Sequence, residues 1–371
     1  METLATAGLE FAWGLAQEVP MPLRYPAPDL IAFATALLER AGLEADKARI
    51  VAGILVEGDL LGHTTHGLHL LAAYLTELEN GSMTKSGGPS VLADFPAAVT
   101  RDGRRLPGPW LVVRAIDLAI ARAKQNGTGT VVIRDSHHIA CLAAYLNRVT
   151  DQGLMVLLLS SCPSEKLVAP HGGCRGVFTP NPIAAAWPAG DEPVMLDLSS
   201  SISSLGAILR AREEKRPMAG PWLIDARGHP TDDPSVVFAD PRGALLPVGG
   251  LDHGHKGFAL GLLVEAFTGG LAGRGRADSP TGWLSNVYVQ ILDPALYGST
   301  EDFIRQMEWL VDACRRTPPR PGVDRVRLPG ESGLRRRAEQ LANGVELYPG
   351  IMPALGPWAQ KSGVPLPVAN A

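Results

Sequence analysis

Hydrophobic residues recur every three to four positions along several stretches of the chain, and this spacing predicts amphipathic helices. Between residues 29 and 41, Leu30, Phe33 and Leu37 would share one helix face, and Gly42 directly after them suits a helix end. Helices are predicted by the same spacing at 45–61, 68–78, 110–126, 138–152, 258–269, 302–315 and 334–343.

Short apolar or alternating runs between these helices predict β-strands. The runs lie at 130–133, 154–159, 183–187, 194–198, 222–225 and 285–292. Pro188, Gly190 and Pro193 separate the third run from the fourth, which is typical of a hairpin connection. Because helices and strands alternate in the middle of the chain, the pattern indicates an α/β protein.

Composition narrows the class of protein. The 371 residues carry a net charge of -4 and are 46% hydrophobic, which is ordinary for an enzyme and unlike a nucleic-acid-binding protein. No apolar run reaches the roughly 18 residues that a membrane span needs. Residues 1–24 lack a basic segment before their apolar positions, so we expect an extension there instead of a signal peptide. The four cysteines form no Cys-x-x-Cys pair, which favours reduced thiols in a cytoplasmic protein.

The segment from Gly62 to Gly67 is the first candidate for chemistry. It reads Gly-His-Thr-Thr-His-Gly and joins two predicted helices. The imidazole of His66 can give or take a proton near neutral pH, and Gly67 would allow close approach of backbone or ligand. The alternative interpretation is that His66 caps a helix or fills a polar gap.

Metal binding and nucleophilic catalysis are weaker interpretations of the histidines. His63 and His66 would share a face if they were helical, but no acidic ligand follows at a matching spacing and His-Glu-x-x-His is absent. We therefore expect no metal site. Gly-x-Ser-x-Gly is absent as well, so a Ser-His-Asp hydrolase is weakly supported.

A glycine-rich stretch at 249–257 is the second candidate. It contains His255 and Lys256 and leads into the helix predicted from Phe258. Free backbone N–H groups, a helix N-terminus and a lysine together favour binding of an anion such as a pyrophosphate or carboxylate, although a surface turn would have the same composition. No Gly-x-Gly-x-x-Gly or Walker motif occurs, so a bound dinucleotide would require a fold other than the Rossmann fold.

Several short motifs occur in an order that resembles the type 2, non-Rossmann malate/L-lactate dehydrogenase family. This family includes L-sulfolactate and ureidoglycolate dehydrogenases and Δ1-piperideine-2-carboxylate reductases. The resemblance covers about residues 28–353 and rests on the segments 58–62, 66–67, 134–138, 181–184, 196–201, 225–231, 249–250, 254–257 and 328–331. Each segment is a weak signal alone, whereas the ordered set is specific.

The resemblance implies an α/β, L-sulfolactate dehydrogenase-like fold. A helical substrate domain would combine residues 25–126 with 302–371, and an NAD(P)-binding domain with a largely antiparallel sheet would span 127–301. The activity implied is hydride transfer between NADH or NADPH and a C=O group beside a carboxylate, in a homodimer. A cyclic C=N group is the alternative acceptor, and a ligand-binding member without activity is the alternative of another class.

The resemblance also implies roles for individual residues. His66 would be the general acid/base, and Asp197 would orient or charge-tune its imidazole. Substrate contacts are expected from Thr65, His69, His137, His138 and Asn181. Cofactor contacts are expected from Leu198, Ser199, Ser200, His255, Lys256, Gly330 and Glu331.

One departure from the family pattern concerns substrate binding. Four residues after the histidine the family usually carries an arginine suited to clamping a carboxylate, and this chain has Leu70. A leucine cannot replace a bidentate guanidinium. The carboxylate would then be held by His69, another basic side chain or backbone amides, or the substrate would be altered.

Overall fold

The computed structural model describes residues 23–370, so the predicted extension at 1–24 lies outside the described residues apart from Leu23 and Arg24. Within this range the helices are α1 (Ala27–Arg40), α2 (Ala45–Leu60), α3 (Leu71–Glu79), α4 (Gly108–Asn126), α5 (Asn147–Thr150), α6 (Leu205–Glu213), α7 (Gly250–Glu265), α8 (Thr300–Arg316), α9 (Glu331–Asn343) and α10 (Ile351–Ser362). The strands are β1 (Arg24–Tyr25), β2 (Ser90–Phe95), β3 (Ala98–Asp102), β4 (Thr128–His137), β5 (Met155–Ser161), β6 (Pro182–Trp187), β7 (Val194–Ser199), β8 (Leu223–Ile224), β9 (Pro230–Thr231), β10 (Ala244–Leu245), β11 (Leu284–Leu292) and β12 (Val345–Glu346).

The largest sheet within residues 23–370 contains seven strands in the order β2-β3-β4-β11-β5-β6-β7. Only β3 and β4 run parallel among these neighbours, which confirms the expectation of a largely antiparallel sheet. The central strand β11 is buried along most of its length. Helix α4 packs on this sheet, and Gly129 permits the contact because a Cβ there would lie 2.1 Å from the Ala119 carbonyl oxygen.

Both ends of the described chain share a second core. Apolar residues of α1, α2 and α3 pack with α10 and with the strand pair β1–β12. Helix α9 ties the two ends together, since the Gln340 side-chain amide donates to the carbonyl oxygens of Asp59 and Leu60 at 2.9 Å each. The helical region therefore draws on both chain ends, whereas the domain boundaries stay a prediction.

The helix predicted at 138–152 is wrong. Strand β4 continues to His137, a 3₁₀ turn covers Leu142–Tyr145 and only α5 is α-helical in this stretch. Ala140 has a φ of +59°, and the N–H of Ala143 donates to the Asp197 carboxylate in place of a helical carbonyl. A tertiary acceptor therefore replaces the local hydrogen bond on which the helical spacing relied.

Other elements differ from the sequence expectations in position. Helix α7 begins at Gly250 and not near Phe258, so the glycine-rich stretch is itself the first part of a helix that is irregular at His253. The β2–β3 hairpin and helices α6 and α10 were not predicted. No helix in residues 23–370 combines the length and apolar character needed to cross a membrane.

Candidate active site

A buried carboxylate holds the loop that carries His66 in place. Asp59, near the end of α2, is 1% exposed and accepts the N–H of Leu68 at 2.7 Å. A Cβ on Gly67 would lie 2.3 Å from the same carboxylate, so only glycine fits there. Burial raises the pKa of Asp59 to about 7, and the Leu68 N–H partly opposes this shift. The segment between α2 and α3 is thus held at both its ends.

The ring of His66 lies beside a second histidine. Its Nδ1 is 2.9 Å from the Thr65 hydroxyl oxygen, and its ring stacks on that of His138 with centroids 6.0 Å apart and planes at 25°. Burial, and then the neighbouring His63 and His69, lower the pKa of His66 to about 4. The imidazole of His66 is therefore neutral at physiological pH.

His138 sits between His66 and Trp283, whose ring centroid is 4.4 Å from that of His138. The Ala140 N–H donates to His138 Nδ1 at 3.2 Å, and the Tyr74 hydroxyl lies 2.9 Å from the same nitrogen. Because a backbone N–H can only donate, Nδ1 is an acceptor and the neutral ring carries its proton on Nε2. Burial lowers the pKa of His138 well below its usual value, with His66 and His137 adding to the effect.

Two other residues that were predicted to bind substrate instead form hydrogen bonds with protein groups. His137 is 1% exposed, and its Nε2 lies 3.2 Å from the Glu77 carboxylate. Asn181 is fully buried and donates to the Gly261 carbonyl at 3.1 Å and to Glu265 at 2.9 Å. His137 packs edge-on behind Tyr74 and Trp283, and Asn181 joins β6 to α7. The structure does not bring Asn181 into contact with the His66–His138 pair.

Helix α6 covers the His66 loop and brings an arginine to it. A Cβ on Gly206 would lie 3.0 Å from the Thr65 side chain, which shows how closely α6 approaches. The Arg210 guanidinium stacks on the Tyr348 ring at 3.8 Å and donates from both Nη atoms to the Thr64 hydroxyl at 3.2 Å. Burial, and then the charge of Arg210, lower the pKa of the adjacent His69.

Leu70 is a core residue and not part of a polar binding site. Its side chain packs, partly buried, against the core formed by the two chain ends. Among residues 23–370, Arg210 forms no direct ion pair with a carboxylate; it donates to a hydroxyl and stacks on an aromatic ring. Side-chain hydrogen bonds lower the pKa of Glu214, and the charge of Arg210 contributes to this shift. Position 70 therefore supplies no basic group, and the basic side chain beside the loop is that of Arg210.

Asp197 lies beside a different histidine from the one expected. Its Oδ2 accepts the Ala143 N–H at 2.8 Å and is 3.7 Å from the Cys141 sulfur. The imidazole in this group is that of His63, and no hydrogen bond within residues 23–370 links Asp197 to His66. The expectation that Asp197 orients His66 is not supported, because β7 directs this carboxylate toward the start of the loop.

A cavity of about 210 Å³ opens in front of Asp197. Gly330 is one of its lining residues and has a φ of +90°; a Cβ there would lie 2.8 Å from the side chain of Met195. Glu331 accepts the Leu328 N–H at 3.1 Å and pairs with Arg325 outside this cavity wall. Of the predicted cofactor residues, Gly330 therefore shares a cavity with Asp197.

The remaining predicted cofactor residues lie along the end of β7 and on α7. Leu198 is 43% exposed, Ser199 donates to the Ser201 carbonyl at 2.8 Å and Ser200 donates to that of Pro180 at 2.8 Å. His255 and Lys256 are exposed on the first turns of α7. A Cβ on Gly257 would lie 2.6 Å from the Ser200 carbonyl oxygen, so this helix packs directly on the serine segment.

Sequence reasoning missed four residues that the structure places around these groups. Tyr74 and Trp283 enclose His138, Arg210 reaches Thr64, and Cys141 meets Asp197. Tyr74 follows His66 by eight positions on the next helix, but its apolar neighbours made it a core residue by spacing. The other three come from distant segments, for which no local spacing exists.

Comparison with known proteins identifies the family. The model of the malate/L-lactate dehydrogenase family matches residues 25–355. The chain belongs to the malate/L-lactate dehydrogenase family. L-lactate dehydrogenase from Cupriavidus necator is 33% identical over 340 residues, covering 90% of this chain and 96% of that protein.

Solved structures of dehydrogenases and a reductase share the fold. Sulfolactate dehydrogenase from Methanocaldococcus jannaschii superposes with a TM-score of 0.82 at 25% identity, over 92% of this chain and 98% of that one. Δ1-piperideine-2-carboxylate reductase from Pseudomonas syringae pvar. tomato gives 0.78 at 28%, over 91% and 99%. The predicted non-Rossmann, sulfolactate dehydrogenase-like fold is confirmed, and the chain is an oxidoreductase of this pyridine-nucleotide-dependent family.

The buried Asp59 predicts an unusual dependence of stability on pH. A carboxyl group with a pKa of about 7 when folded and 3.8 when unfolded stabilises the fold below pH 4 and loses that contribution as pH rises through 7. Asp59→Asn keeps an acceptor for Leu68 but does not titrate. We expect the fall in unfolding free energy between pH 4 and pH 8 to shrink by about 4 kcal/mol in this variant.

Chemical denaturation at several pH values measures this difference. Asp29→Asn, at an exposed position in the first turn of α1, is the matched control and retains the wild-type pH dependence. Identical pH profiles for wild type and Asp59→Asn would contradict the assignment.

Proposed function

We propose that this family member transfers a hydride between NADH or NADPH and the C=O group of a 2-oxo acid, with His66 as general acid/base. The observation that carries the proposal is the stacked pair of neutral imidazoles, His66 and His138, enclosed by Trp283 and hydroxyl groups. A carbonyl that accepts a hydride develops negative charge on oxygen, and that oxygen needs a proton. An enclosed imidazole is suited to supply it once the ring is protonated.

The low pKa of His66 favours the oxidative direction, in which the neutral ring accepts a proton. Because burial keeps His66 neutral, its free ring nitrogen is available to accept a proton from a 2-hydroxy acid. When a substrate carboxylate enters, its negative charge raises the pKa of the imidazole toward physiological pH, so that the ring can be protonated. His138, protonated on Nε2, can donate a second hydrogen bond to the substrate oxygen.

The described residues fit a nicotinamide dinucleotide, which supplies or accepts the hydride when bound. Asp197 and the His63 ring face the cavity with unused acceptor atoms, which suits the hydroxyl groups of a ribose. Lys256, at the exposed start of α7 beside the serine segment, suits a pyrophosphate. A cavity of about 210 Å³ is smaller than typical ligand sites and would hold only part of a dinucleotide.

Arg210 is the basic side chain that we propose for the substrate carboxylate in place of the missing arginine at Leu70. Its guanidinium is fixed beside the His66 loop by Thr64 and by the Tyr348 ring, and it has no carboxylate partner among residues 23–370. A fixed planar fork of N–H donors loses little entropy when it binds a carboxylate. Arg210 therefore supports a substrate that carries this group.

A cyclic imine beside a carboxylate is the second candidate substrate. The similarity to Δ1-piperideine-2-carboxylate reductase favours it, since that protein is named for such a compound. Both acceptors need a hydride, a proton and an anion site, so the same residues would serve either one. The replacement of arginine by Leu70 is the one feature that favours a ligand-binding protein without activity.

Nicotinamide absorbance distinguishes these functions. We expect purified protein to oxidise NADH or NADPH with a member of a panel of 2-oxo acids, or with cyclic imino acids under the second candidate. His66→Gln should lower kcat about 10² to 10⁴-fold, because the proton donor is lost while the fold is kept. His229→Gln, at an exposed histidine in the β8–β9 turn, is the control and keeps wild-type activity.

Either of two results would overturn the proposal. Equal turnover by wild type and His66→Gln would remove His66 from the mechanism. Cofactor binding, followed by fluorescence, without turnover of any oxo or imino acid would favour the non-catalytic function.

Arg210→Gln tests the carboxylate clamp. Loss of a charge-assisted hydrogen bond costs about 1.5 to 3 kcal/mol, so we expect KM for the acid substrate to rise roughly 10 to 100-fold with a smaller change in kcat. Arg212→Gln, on the same helix but stacked on Phe238 at 4.4 Å, is the matched control and leaves KM unchanged. An unchanged KM in Arg210→Gln would exclude this arginine from substrate binding.

We further propose a cytoplasmic homodimer. The four free cysteines of the described residues suit a reducing compartment. Exposed apolar side chains on α6 and α7 favour a protein partner, and they are Leu205, Leu209, Leu251, Leu262 and Leu263. Sedimentation equilibrium should give twice the 39.3 kDa of the chain, and a monomer at micromolar concentration would contradict the dimer.

A further inference from the structure

Three side chains from separate parts of the chain converge beside the cavity. His63 comes from the loop after α2, Cys141 from the segment after β4 and Asp197 from β7. Their ligand atoms, a ring nitrogen, a thiol sulfur and a carboxylate oxygen, all lie within 4.8 Å of one another. The proposed function uses His63 and Asp197 only as hydrogen-bond acceptors for the cofactor and gives Cys141 no role, so the convergence of all three needs its own explanation.

The spacing of the cluster suits a tetrahedral metal ion. Ligands bound at the Zn–S and Zn–O distances of a zinc site are about 3.6 Å apart. The Cys141 thiol donates to Asp197 Oδ2 at 3.7 Å, so the sulfur and the oxygen already lie at this separation and a cation would replace the shared proton. Small side-chain movements of His63 would complete a three-ligand set.

The hydrogen bonds leave the necessary lone pairs free. Within residues 23–370 the His63 ring has no hydrogen-bond partner and Asp197 Oδ1 accepts none, whereas Oδ2 accepts both the Ala143 N–H and the Cys141 thiol. That backbone N–H fixes the orientation of the carboxylate, as groups around metal ligands generally do. The cavity of about 210 Å³ in front of His63 and Asp197 leaves a fourth position open.

We propose that His63, Cys141 and Asp197 form a binding site for a divalent transition-metal cation of the zinc class. A thiolate, an imidazole and a carboxylate together favour such an ion over Mg²⁺ or Ca²⁺, which take oxygen ligands. Cys141 binds through sulfur, and its proton passes to solvent as the metal–sulfur bond forms. Sequence spacing excluded a His63–His66 pair, whereas this set needs three distant segments that only the fold brings together.

The location of the site predicts that a bound cation affects cofactor binding. His63 and Asp197 line the same cavity as Gly330, where we place part of the cofactor, so cation and cofactor would exclude each other. This second part rests on the proposed function, whereas binding of the cation does not.

Cobalt(II) is the probe for the site, because thiolate-bound Co²⁺ has a near-ultraviolet charge-transfer band. We expect wild-type protein, free of cofactor, to bind one equivalent with this band and to release it to Zn²⁺. Cys141→Ser should abolish the band, and His63→Ala should weaken binding about tenfold or more. Cys174→Ser, which removes an exposed thiol, is the matched control and retains the band.

Two outcomes would overturn the site. One is the absence of a thiolate band in correctly folded wild type, and the other is a band that survives in Cys141→Ser but disappears in Cys174→Ser. Titration of NADH with and without Zn²⁺ tests competition separately: Zn²⁺ should raise the apparent Kd in wild type and not in Cys141→Ser. Cobalt binding without competition would retain the metal site and overturn only its overlap with the cofactor.

Discussion

The buried carboxylate of Asp59 holds in place the turn that carries His66, the proposed acid/base. It accepts the Leu68 N–H and leaves no room for a side chain at Gly67, so the turn between α2 and α3 has one available path. Gln340 holds the end of α2 from the opposite chain end. The position of His66 therefore depends on a polar group buried in an otherwise apolar region, which is costly unless it is satisfied.

Burial determines the protonation states of the histidines around that turn. His66 and His138 are neutral because burial and mutual proximity disfavour a positive charge on either ring. As proposed above, a neutral His66 can accept the hydroxyl proton of a 2-hydroxy acid, and the protonated ring can return it to the oxo acid. Trp283 and Tyr74 pack against the His138 ring, and electrostatic interactions are stronger in such a buried environment than in water.

The residues of the loop between α2 and α3 face two different parts of the protein. His66 stacks on His138, whereas His63 lines the cavity with Asp197 and Gly330. Thr64 and Thr65 meet helix α6, through Arg210 and Gly206 respectively. One short segment thus joins the proposed proton donor, the proposed carboxylate clamp and the proposed cofactor cavity.

The sequence by itself determined the α/β class and most long helices, and the family resemblance of its short motifs implied the largely antiparallel sheet and made His66 the candidate for chemistry. These depend on local periodicity and on short motifs, which are visible without a fold. Only the tertiary structure decided that 138–152 is not a helix, because the Asp197 carboxylate takes the Ala143 N–H. It likewise decided that Asp197 faces His63 and that Arg210 stands near Leu70, since contacts between segments separated by 50 residues or more leave no local pattern.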